Sequence, residues 1–481
     1  MRRPASGLGT VLLIGTLLAA SAAQAVVVIS SDPTQNMSCV GGVCTPTASD
    51  AVLNADDLTG MLAHHDTTVS TTGSGVEAGD IRITARVRSE NSFQLTLGAQ
   101  GSIVFASHVV VLGNGNVSLA SATRNGGPSL FFLNGASLTF VDPSGVLSIN
   151  GARYRLETTL TELARAVVAH PRRAYALAVD YDSRPDGVYA TSPIAIPFTG
   201  RFTGLGHRIS GLTIADTANA SVGLFSTTMP KAWVGNIRIV NIAAYGNGAV
   251  GGLIGLNQGS VTNSSATGIV RGGDVVGELV LVGGLVGHNS GDLTDCWADG
   301  RVSHGYAAGG LVGENDGTIH SSFAAGSVTG PYYNGGLAGW NVGNFNGITG
   351  SIRNSYATAS VKGRPENDSQ PLVGGLVGNN GGYKHDRSKV ATSYSTGTVS
   401  GPPPYIGGSL GVQKGAAMDT YWDTTTSGTA QAVGYGDDTG ITGLTTTELQ
   451  SALPAGFDPA IWGQDPSVNS GYPYLLANPP Q

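Results

Sequence analysis

The sequence contains little charge and few aromatic residues. Charged residues account for 12% and aromatic residues for 7% of its 481 positions. It has no run of basic residues, and its formal net charge is −7, which argues against nucleic acid as a partner. No apolar stretch approaches the roughly 20 residues that a membrane helix requires. The composition therefore argues against an integral membrane protein and against a protein that binds nucleic acid.

Cysteine is also scarce, with three residues in the whole chain. Cys39 and Cys44 are separated by Val-Gly-Gly-Val, a spacing that allows a disulfide closing a small loop. Cys296 then has no partner. We interpret it as a small buried apolar residue in preference to a reactive or metal-binding thiol.

The first 25 residues have the pattern of a secretory signal peptide. Arg2 and Arg3 precede the apolar run 11–20, and Ala23-Gln24-Ala25 fits a cleavage site. We therefore predict a signal peptide over 1–25 and a secreted mature chain that starts at Val26. The ordinary secretory route is preferred to the twin-arginine route, because polar and small residues follow the arginine pair. Without the two arginines the net charge becomes −9, from −7 less 2.

After an N-terminal segment, 26–72, apolar and polar residues alternate in short bursts over 73–156. The pairs are Ile81/Ile83, Leu95/Leu97, Ile103/Phe105, Val109/Val111, Val117/Leu119, Leu130/Phe132, Leu138/Phe140 and Leu147/Ile149. A period of two places alternate side chains on one face of a strand. Glycine-rich turns recur about every ten residues between the bursts. The region is predicted to be continuous β-structure.

Parts of this β region resemble a known family of exoproteins. The resemblance is found in the segments 79–81, 93–103, 113–119 and 150–154. They are similar to the stretch of filamentous-haemagglutinin-like exoproteins that precedes their GLUG repeats. The resemblance implies a haemagglutinin-like β region over 73–156.

The segment 157–190 is predicted to contain one helix followed by a polar segment, which is either a linker or a lateral excursion from the β-structure. Thr159 and Glu162 have the spacing of a capping box, the helix spans Leu160 to Ala169, and Pro171 follows it. The acidic residues of the linker are Asp180, Asp182 and Asp186. They are interpreted as solvated loop carboxylates in preference to calcium ligands, because they lack the spacing of a calcium loop.

The motif Gly-Gly-Leu-Val-Gly-x-Asn, with small variations, is repeated through the second half of the chain. Copies begin at Gly251, Gly283, Gly309, Gly335 and Gly374, with a degenerate copy at Gly407. The starts differ by 32, 26, 26, 39 and 33 residues. Each unit contains three apolar bursts, which in the third copy are Leu311/Val312, Ile319 with Phe323, and Val328. Three bursts per unit predict a parallel β-helix of three-stranded coils, which must stack because one coil cannot bury its inward face alone.

Glycine and asparagine have separate roles in this prediction. The repeated glycines supply corners that need positive φ or close backbone approach. The repeated asparagines could form a ladder whose amides bond from coil to coil; they are Asn257, Asn289, Asn315, Asn341 and Asn380. Extra residues at 344–351 and 383–389 are predicted to form loops on one face.

These units resemble GLUG motifs, which are found in bacterial adhesin-like exoproteins and in some IgA-specific peptidases. The resemblance implies initial β-helix rungs over 191–250, GLUG repeats over 251–420 and a C-terminal cap over 421–481. Thr445 and Glu448 predict a second capping box, opening a short helix from Thr446 to Leu453 over the last coil. We interpret the aromatic residues of the cap as packing groups in preference to carbohydrate-stacking platforms; they are Trp422, Trp462 and Tyr474.

No catalytic, cofactor-binding or metal-binding residue is predicted. The acids of the repeats are Asp274, Glu278, Asp292, Asp295, Asp299, Glu314 and Asp316. Asp292 and Asp316 fall near the same corner without being equivalent, so no carboxylate pair stands out. There is no serine elbow and no His-Glu-x-x-His signature. His64-His65-Asp66 and Asp437-Asp438 are interpreted as a loop and a turn in preference to metal sites.

Taken together, the residues favour an all-β, non-enzymatic protein, secreted or at the cell surface. Its expected role is adhesin-like, with a protein or glycan of a host or neighbouring cell as partner and with an outer-membrane export partner possible. The alternative is a carbohydrate-active enzyme, a polysaccharide lyase or glycosidase on the same scaffold. The enzyme alternative predicts clustered carboxylates in one groove, so the most informative observation is whether any groove gathers three or more acidic or basic side chains.

Overall fold

The structure is a computed structural model that describes residues 25–73, 76, 79–124, 126–273, 279–343, 349–366, 369–382 and 387–480. The predicted signal peptide, Asp274, Glu278 and most of the loops at 344–351 and 383–389 lie outside these residues. None of the described helices is long and apolar enough to cross a bilayer. The helices are Ala55–Leu62, Leu160–Ala169 and Thr446–Ser451, with 3₁₀ turns at Arg184–Asp186 and Asn469–Gly471.

The N-terminal third is a parallel β-helix, named here the first solenoid, residues 26–149. Its first sheet has the order Val52–Asn54, Val26–Ser30, Asp80–Ile83, Ile103–Phe105, Leu130–Phe132. Its second has the order Leu138–Phe140, Val109–Val111, Val87–Ser89. The third stacks Val43–Pro46, Thr67–Ser70, Gln94–Gly98, Asn116–Ala120 and Leu147–Ile149. All eight predicted apolar pairs lie in these strands, and each strand pairs in parallel with a strand of a neighbouring coil.

Two hairpins extend from the first solenoid. Met37–Val40 pairs antiparallel with Val43–Pro46, which places Cys39 directly opposite Cys44, and the two form a disulfide. Thr123–Arg124 pairs antiparallel with Gly127–Pro128. The disulfide that the spacing allows is therefore formed, and Cys296 is fully buried as predicted.

A reversal of the chain joins the first solenoid to a second one, residues 152–444. Leu147–Ile149 pairs antiparallel with Ala152–Glu157, because Asn150 and Gly151 both have positive φ (49° and 78°), as in a tight two-residue hairpin turn. Ala152–Glu157 then pairs in parallel with Ala174–Leu177. The side chain of Ala176 packs in the first core, and those of Tyr175 and Leu177 pack in the second. One strand therefore separates two hydrophobic cores.

The second solenoid has four faces. Face 1 stacks Ala152–Glu157, Ala174–Leu177, Arg201–Thr203, Trp233–Gly235, Ser260–Thr262, Asp292–Thr294, Thr318–His320 and Ser351–Arg353. Two long strands, Lys389–Ser395 and Ala416–Asp423, run from face 1 into face 2. The other strands of face 2 are Tyr181–Asp182, Val188–Tyr189, Arg208–Ser210, Thr213–Asp216, Arg238–Gly246, Ser265–Gly272, Trp297–Ser303, Phe323–Gly330, Tyr356–Ala357, Ser360–Gly363, Val399–Ser400 and Ile441–Leu444.

Faces 3 and 4 carry the repeated glycine motif. Face 3 stacks Ser221–Val222, Ala249–Gly251, Leu281–Gly283, Ala307–Gly309, Tyr333–Gly335, Leu372–Gly374 and Ile406–Gly407. Face 4 stacks Phe225–Thr228, Ile254–Asn257, Val286–Asn289, Val312–Asn315, Ala338–Asn341, Val377–Asn380, Leu410–Gln413 and Val433–Gly436. The predicted parallel β-helix is confirmed.

Each complete coil holds four strands, whereas three were predicted. Ile319 and Phe323 were assigned to one apolar burst, but they lie on consecutive strands, Thr318–His320 and Phe323–Gly330. Ile319 packs in the central core, while Phe323 belongs to a separate aromatic cluster outside it. The two residues belong to different strands because the chain turns a corner between them. This corner changes which side chains point into the central core.

The glycines of the motif act through close approach, whereas several corners use other residues. A Cβ at Gly283 would overlap the carbonyl oxygen of Val286, and one at Gly309 would overlap that of Val312. From the strand Trp233–Gly235 onward, the corner after each face 1 strand, or within the long strands that continue into face 2, is held at positive φ by a non-glycine residue; these are Asn236, Asn263, Asp295, Ser321, Asn354, Thr392 and Asp419. Asparagine and aspartate tolerate this conformation best among non-glycine residues.

The asparagine ladder is formed and runs through the buried side of face 4. Nδ2 of each asparagine donates to Oδ1 of the next at 2.7–2.8 Å along Asn257, Asn289, Asn315, Asn341 and Asn380. Thr228 begins the ladder and Gln413 ends it. Nδ2 of Asn315 also donates to the carbonyl oxygen of Gly317 at 3.2 Å, so the ladder satisfies turn backbone groups as predicted.

The C-terminal segment lies along the side of several coils, where the sequence predicted a cover over the last one. Trp297, Phe323, Tyr356 and Tyr394 stack face to face on successive coils, with interplanar angles of 6–7°. Trp462 is 1% exposed and packs on this stack, and Asn478 donates to the carbonyl oxygen of Cys296.

Trp462 is therefore a packing group. Trp422 is 7% exposed, and Tyr474 is partly buried.

Two predicted helices are present. The helix Leu160–Ala169 matches its predicted bounds, but its capping box is half formed, since Glu162 accepts from Thr158 and not from Thr159. The helix Thr446–Ser451 has a complete capping box from Thr445 and Glu448 and ends two residues earlier than predicted. The interpretation of the rest of 157–190 as a linker is wrong, because its strands pair in parallel with the next coil.

Candidate functional site

A basic cleft lies where the two solenoids meet. It has a volume of about 1000 Å³, and five of the 25 basic residues of the chain line it. They are Arg153, Arg155, Arg172, Arg173 and Arg201, and we call them the arginine cleft. All five are exposed. The structure therefore contains one groove that gathers more than three basic side chains.

Three separate chain segments bring the arginines together. Arg153 and Arg155 alternate with buried Tyr154 on the first strand of the second solenoid. Arg172 and Arg173 follow the helix Leu160–Ala169, and Arg201 begins the next strand of face 1. Parallel pairing places Tyr154, Ala174 and Arg201 in one row. Stacking of coils thus gathers residues about 48 positions apart, as in Arg153 and Arg201.

Few carboxylates balance these charges. Nε of Arg155 lies 2.6 Å from Oε1 of Glu157. Among the described residues the other four arginines have no carboxylate within 4.0 Å. Burial raises the pKa of Glu157, and the charge of Arg155 opposes this shift. The cleft can therefore attract and hydrogen-bond an anion.

The inner wall of the cleft contains a buried phenol. Tyr154 is 5% exposed, and its pKa is raised by burial, with the charge of Arg201 acting in the opposite direction. Glu162 in the first turn of the helix Leu160–Ala169 and Thr158, which precedes the N-cap residue Thr159, also line the cleft. Glu162 accepts hydrogen bonds from Thr158, so this carboxylate is held at the helix start.

A second charged cluster lies on face 4. Nε2 of His288 is 3.3 Å from Oδ1 of Asp316 and 4.0 Å from Oε1 of Glu314. His288 and Glu314 are in register on neighbouring strands. Burial lowers the pKa of His288, but the hydrogen bond to Asp316 and the charges of Glu314 and Asp316 outweigh it and raise the pKa overall. Burial raises the pKa of Glu314.

This cluster is not predicted by a comparison of Asp292 with Asp316 in the sequence. Asp292 is exposed and pairs with Thr318 on face 1. A signal was available, since His288 and Glu314 both stand directly before a ladder asparagine in the repeat. Equivalent positions of consecutive repeats are neighbours in a solenoid, so this comparison would have joined the two residues.

The other acidic candidates make local structural contacts. Asp180 contacts His207 and Arg208, Asp182 pairs with Arg184, and Asp186 accepts hydrogen bonds from Tyr181 and Tyr189. Among the described residues no group of histidine, cysteine and acidic side chains has an arrangement suited to a metal ion. These aspartates therefore make structural contacts within the coils, with Asp182 on a strand and Asp186 in a 3₁₀ turn, where the sequence predicted solvated loop carboxylates.

The N-terminal histidines and the late acidic pair also make local contacts. Nδ1 of His65 lies 3.0 Å from the carbonyl oxygen of Asp66. The carboxylate of Asp66 accepts from the backbone N–H of Gln94. Asp437 accepts from the backbone N–H and the hydroxyl of Thr439. Each of these contacts fits a loop or a turn.

Comparison with known proteins identifies the repeats. The family model described as the GLUG motif matches residues 246–271 and 369–400. The chain therefore contains GLUG motifs, and the resemblance stated from the repeats is confirmed.

Two individual proteins are similar over limited extents. A stretch of 83 residues is 35% identical to halomucin from Haloquadratum walsbyi (strain DSM 16790 / HBSQ001), covering 17% of this chain and 1% of halomucin. A crystal structure of a protein proposed to be an immunoglobulin A1 protease, from Bacteroides ovatus, aligns with 68% of this chain and 93% of its own. That alignment has a TM-score of 0.42 and 17% identity, which supports no conclusion about activity.

Proposed function

We propose that this chain is an extracellular, adhesin-like binding protein whose double solenoid presents the arginine cleft to a cell-surface ligand. The carrying observation is the cleft itself: five exposed arginines, of which one has a carboxylate partner within 4.0 Å in the described part of the chain. Exposed charges raise the encounter rate with an oppositely charged partner.

The scaffold suits a role in contact rather than in transport or signalling. Each coil contacts its neighbours in sequence, so the solenoid grows by stacking and provides long lateral faces. The arginines of the cleft lie on two strands and on the turn that leads into the strand between them. Parallel pairing fixes these three strands relative to one another, which holds the arginines in position before a ligand binds. The partner is a glycan or protein on a host or neighbouring cell.

An extracellular location agrees with two features. The predicted signal peptide, 1–25, would direct the chain out of the cytoplasm. The disulfide between Cys39 and Cys44 would persist in an oxidising compartment. Passage across an outer membrane would require an export partner, which belongs to the same proposal.

The proposal is tested with the chain from Val26 to Gln481, purified and labelled with a fluorophore. We expect saturable binding to bacterial or host cells, and competition by the unlabelled chain. The same chain after irreversible heat unfolding is the control and should not compete. Absence of saturable binding to any tested cell surface or glycan array would contradict the proposed function.

A second candidate function is a carbohydrate-active enzyme, a lyase or glycosidase. The observation in its favour is the cluster of His288, Glu314 and Asp316, in which a carboxyl group of raised pKa lies next to an imidazole. Such a pair suits general acid and base chemistry. This candidate predicts release of reducing ends from acidic polysaccharides and loss of that release in Glu314→Gln, with Asp292→Gln as the exposed control.

A further inference from the structure

The arginine cleft has a surplus of positive charge in an acidic protein. Five arginines and two glutamates line it, whereas the whole chain has a net charge of −7. Holding like charges together costs free energy unless a counter-charge is supplied. An anionic ligand would supply that counter-charge.

The side chains in the cleft favour a ligand with several anionic groups, each of which offers two oxygens to a guanidinium group. Guanidinium groups bind carboxylate, sulfate and phosphate through two parallel N–H donors. Here they come from three segments, with Arg153 and Arg155 on one strand, Arg172 and Arg173 on a turn and Arg201 on another strand. A single small anion contacts one or two such groups, whereas a chain bearing repeated anionic groups can contact all three segments.

The same lining disfavours nucleic acid and membranes. Single-stranded nucleic acid is held by stacking of bases on exposed aromatic rings, but the one aromatic residue that lines the cleft, Tyr154, is 5% exposed. None of the exposed large apolar residues of the described chain lines the cleft, so it offers no apolar group to insert into a bilayer.

We infer that the arginine cleft binds an acidic polysaccharide, one that carries sulfate or carboxylate groups on successive sugars. This inference rests on the proposed function, because it names the ligand class of the same cleft. The cleft volume of about 1000 Å³ lies at the upper end of the range for ligand sites and suits a short segment of such a chain. Binding would depend on salt, because the arginines are exposed.

The test uses the chain from Val26 to Gln481 with immobilised heparin as the sulfated probe and polygalacturonate as the carboxylated probe. Dextran serves as the neutral probe, and the salt concentration is about 0.15 M, where charges are screened beyond about 8 Å. We expect binding to at least one acidic probe, none to dextran, and weaker binding as salt increases. The two acidic probes distinguish sulfate from carboxylate as the recognised group.

Two variants locate the binding. Arg172→Gln/Arg173→Gln removes the pair on the turn, and Arg201→Gln removes a residue on a different strand. We expect about tenfold weaker binding for the double variant and a smaller loss for Arg201→Gln. Arg86→Gln/Arg301→Gln is the matched control, because both residues are exposed and neither lines the cleft. It removes the same charge and should change binding less than about twofold.

Three outcomes would overturn the inference. One is equal loss in the cleft and control variants, which would show a non-specific charge effect. Another is arginine-dependent binding to anionic lipid vesicles or single-stranded DNA with no binding to either acidic polysaccharide. A third is binding to cells and to the acidic probes that both cleft variants retain in full, which leaves an adhesin-like role standing but removes the arginine cleft from it. Arginine-dependent binding to a polysaccharide without cell binding would support the inference and contradict the proposed function.

Far-UV circular dichroism of each variant checks that it folds.

Discussion

The backbone N–H of Cys296 donates to the hydroxyl of Ser322 on the next coil at 3.1 Å. The same contact joins Ser322 to Ser355 and Ser355 to Ser393. The Sγ of Cys296 donates to the carbonyl oxygen of Thr294 at 3.3 Å, as the Ser322 hydroxyl does to that of His320. Cys296 therefore occupies a serine position in a buried ladder.

This position makes a prediction about Cys296. Cys296→Ser should change the free energy of unfolding by less than about 1 kcal/mol, because a hydroxyl can make the contacts that serine makes on the next coils. Cys296→Val removes the donor and adds a branched group, and should destabilise by about 2 kcal/mol or more. Urea unfolding followed by circular dichroism measures both. A serine variant as unstable as the valine variant would contradict the assignment to the ladder.

The asparagine ladder predicts a large effect at its centre. Asn315→Ala should lower the free energy of unfolding by about 2–4 kcal/mol, since it leaves the Asn289 amide and the Asn341 oxygen without their partner in the dry interior. Asn114→Ala is the control, because Asn114 is exposed, and it should cost less than about 0.5 kcal/mol. Equal midpoints in urea for the two variants would show that the ladder adds no stability.

Asp295 introduces a pH dependence into the same coil. Burial raises its pKa to about 6 from an ordinary value of 3.8, and the charge of Arg124, 3.8 Å away, opposes the shift. Its Oδ1 has no hydrogen-bond partner among the described residues. Because the folded state favours the protonated carboxyl, its contribution to stability is full below about pH 4 and is lost as the pH rises to about 6.

Asp295→Asn should therefore stabilise the protein at neutral pH. Asparagine suits the positive φ of this corner, since Asn263 and Asn354 hold the equivalent corners of nearby coils. We expect little difference from the natural chain at pH 4 and a gain of about 1–3 kcal/mol at pH 7. Urea midpoints across this range measure the effect. Asp292→Asn, at an exposed position, is the control, and its urea midpoint should not change relative to the natural chain between pH 4 and pH 7. A pH-dependent gain in this control would contradict the assignment of the effect to Asp295.

The aromatic contact between Trp462 and the coils predicts how the C-terminal segment is held. Trp462 stacks on Phe457 with a centroid distance of 4.5 Å and lies within about 6 Å of Tyr356 and Tyr394. Trp462→Ala should destabilise the protein by about 3–5 kcal/mol and expose the stacked rings. Thermal unfolding with binding of a hydrophobic dye measures this. Tyr435→Ala, at a residue 59% exposed, should have a small effect; similar melting of both variants would contradict the packing role.

The repeats show how far sequence reasoning can go. The asparagines before each corner predicted a ladder, and the ladder is present, because equal positions in equal repeats must stack. The number of strands per coil was wrong, because Ile319 and Phe323 look like one apolar burst until a corner divides them. The linker interpretation of 157–190 failed for a similar reason, since a polar strand within a solenoid differs little in sequence from a loop.

The candidate site was harder to predict. Arg153, Arg172 and Arg201 stand in unremarkable contexts, and no local pattern connects them. They meet because the chain reverses at Asn150 and Gly151 and then stacks two coils. The acidic and histidine residues of face 4 were closer to being found, because His288 and Glu314 have the same place in consecutive repeats.

The sequence by itself determined the parallel β-helix, the asparagine ladder, the disulfide spacing and both capped helices that were predicted. These follow from short-range patterns, since strand alternation, repeat period and helix capping depend on neighbours along the chain. Only the tertiary structure decided three other features. The strand Ala174–Leu177 separates two hydrophobic cores, the C-terminal segment packs along the side of the coils, and five arginines line one cleft. Those features depend on which coils stack and where the chain reverses, and contacts between distant segments leave no periodic signal in the sequence.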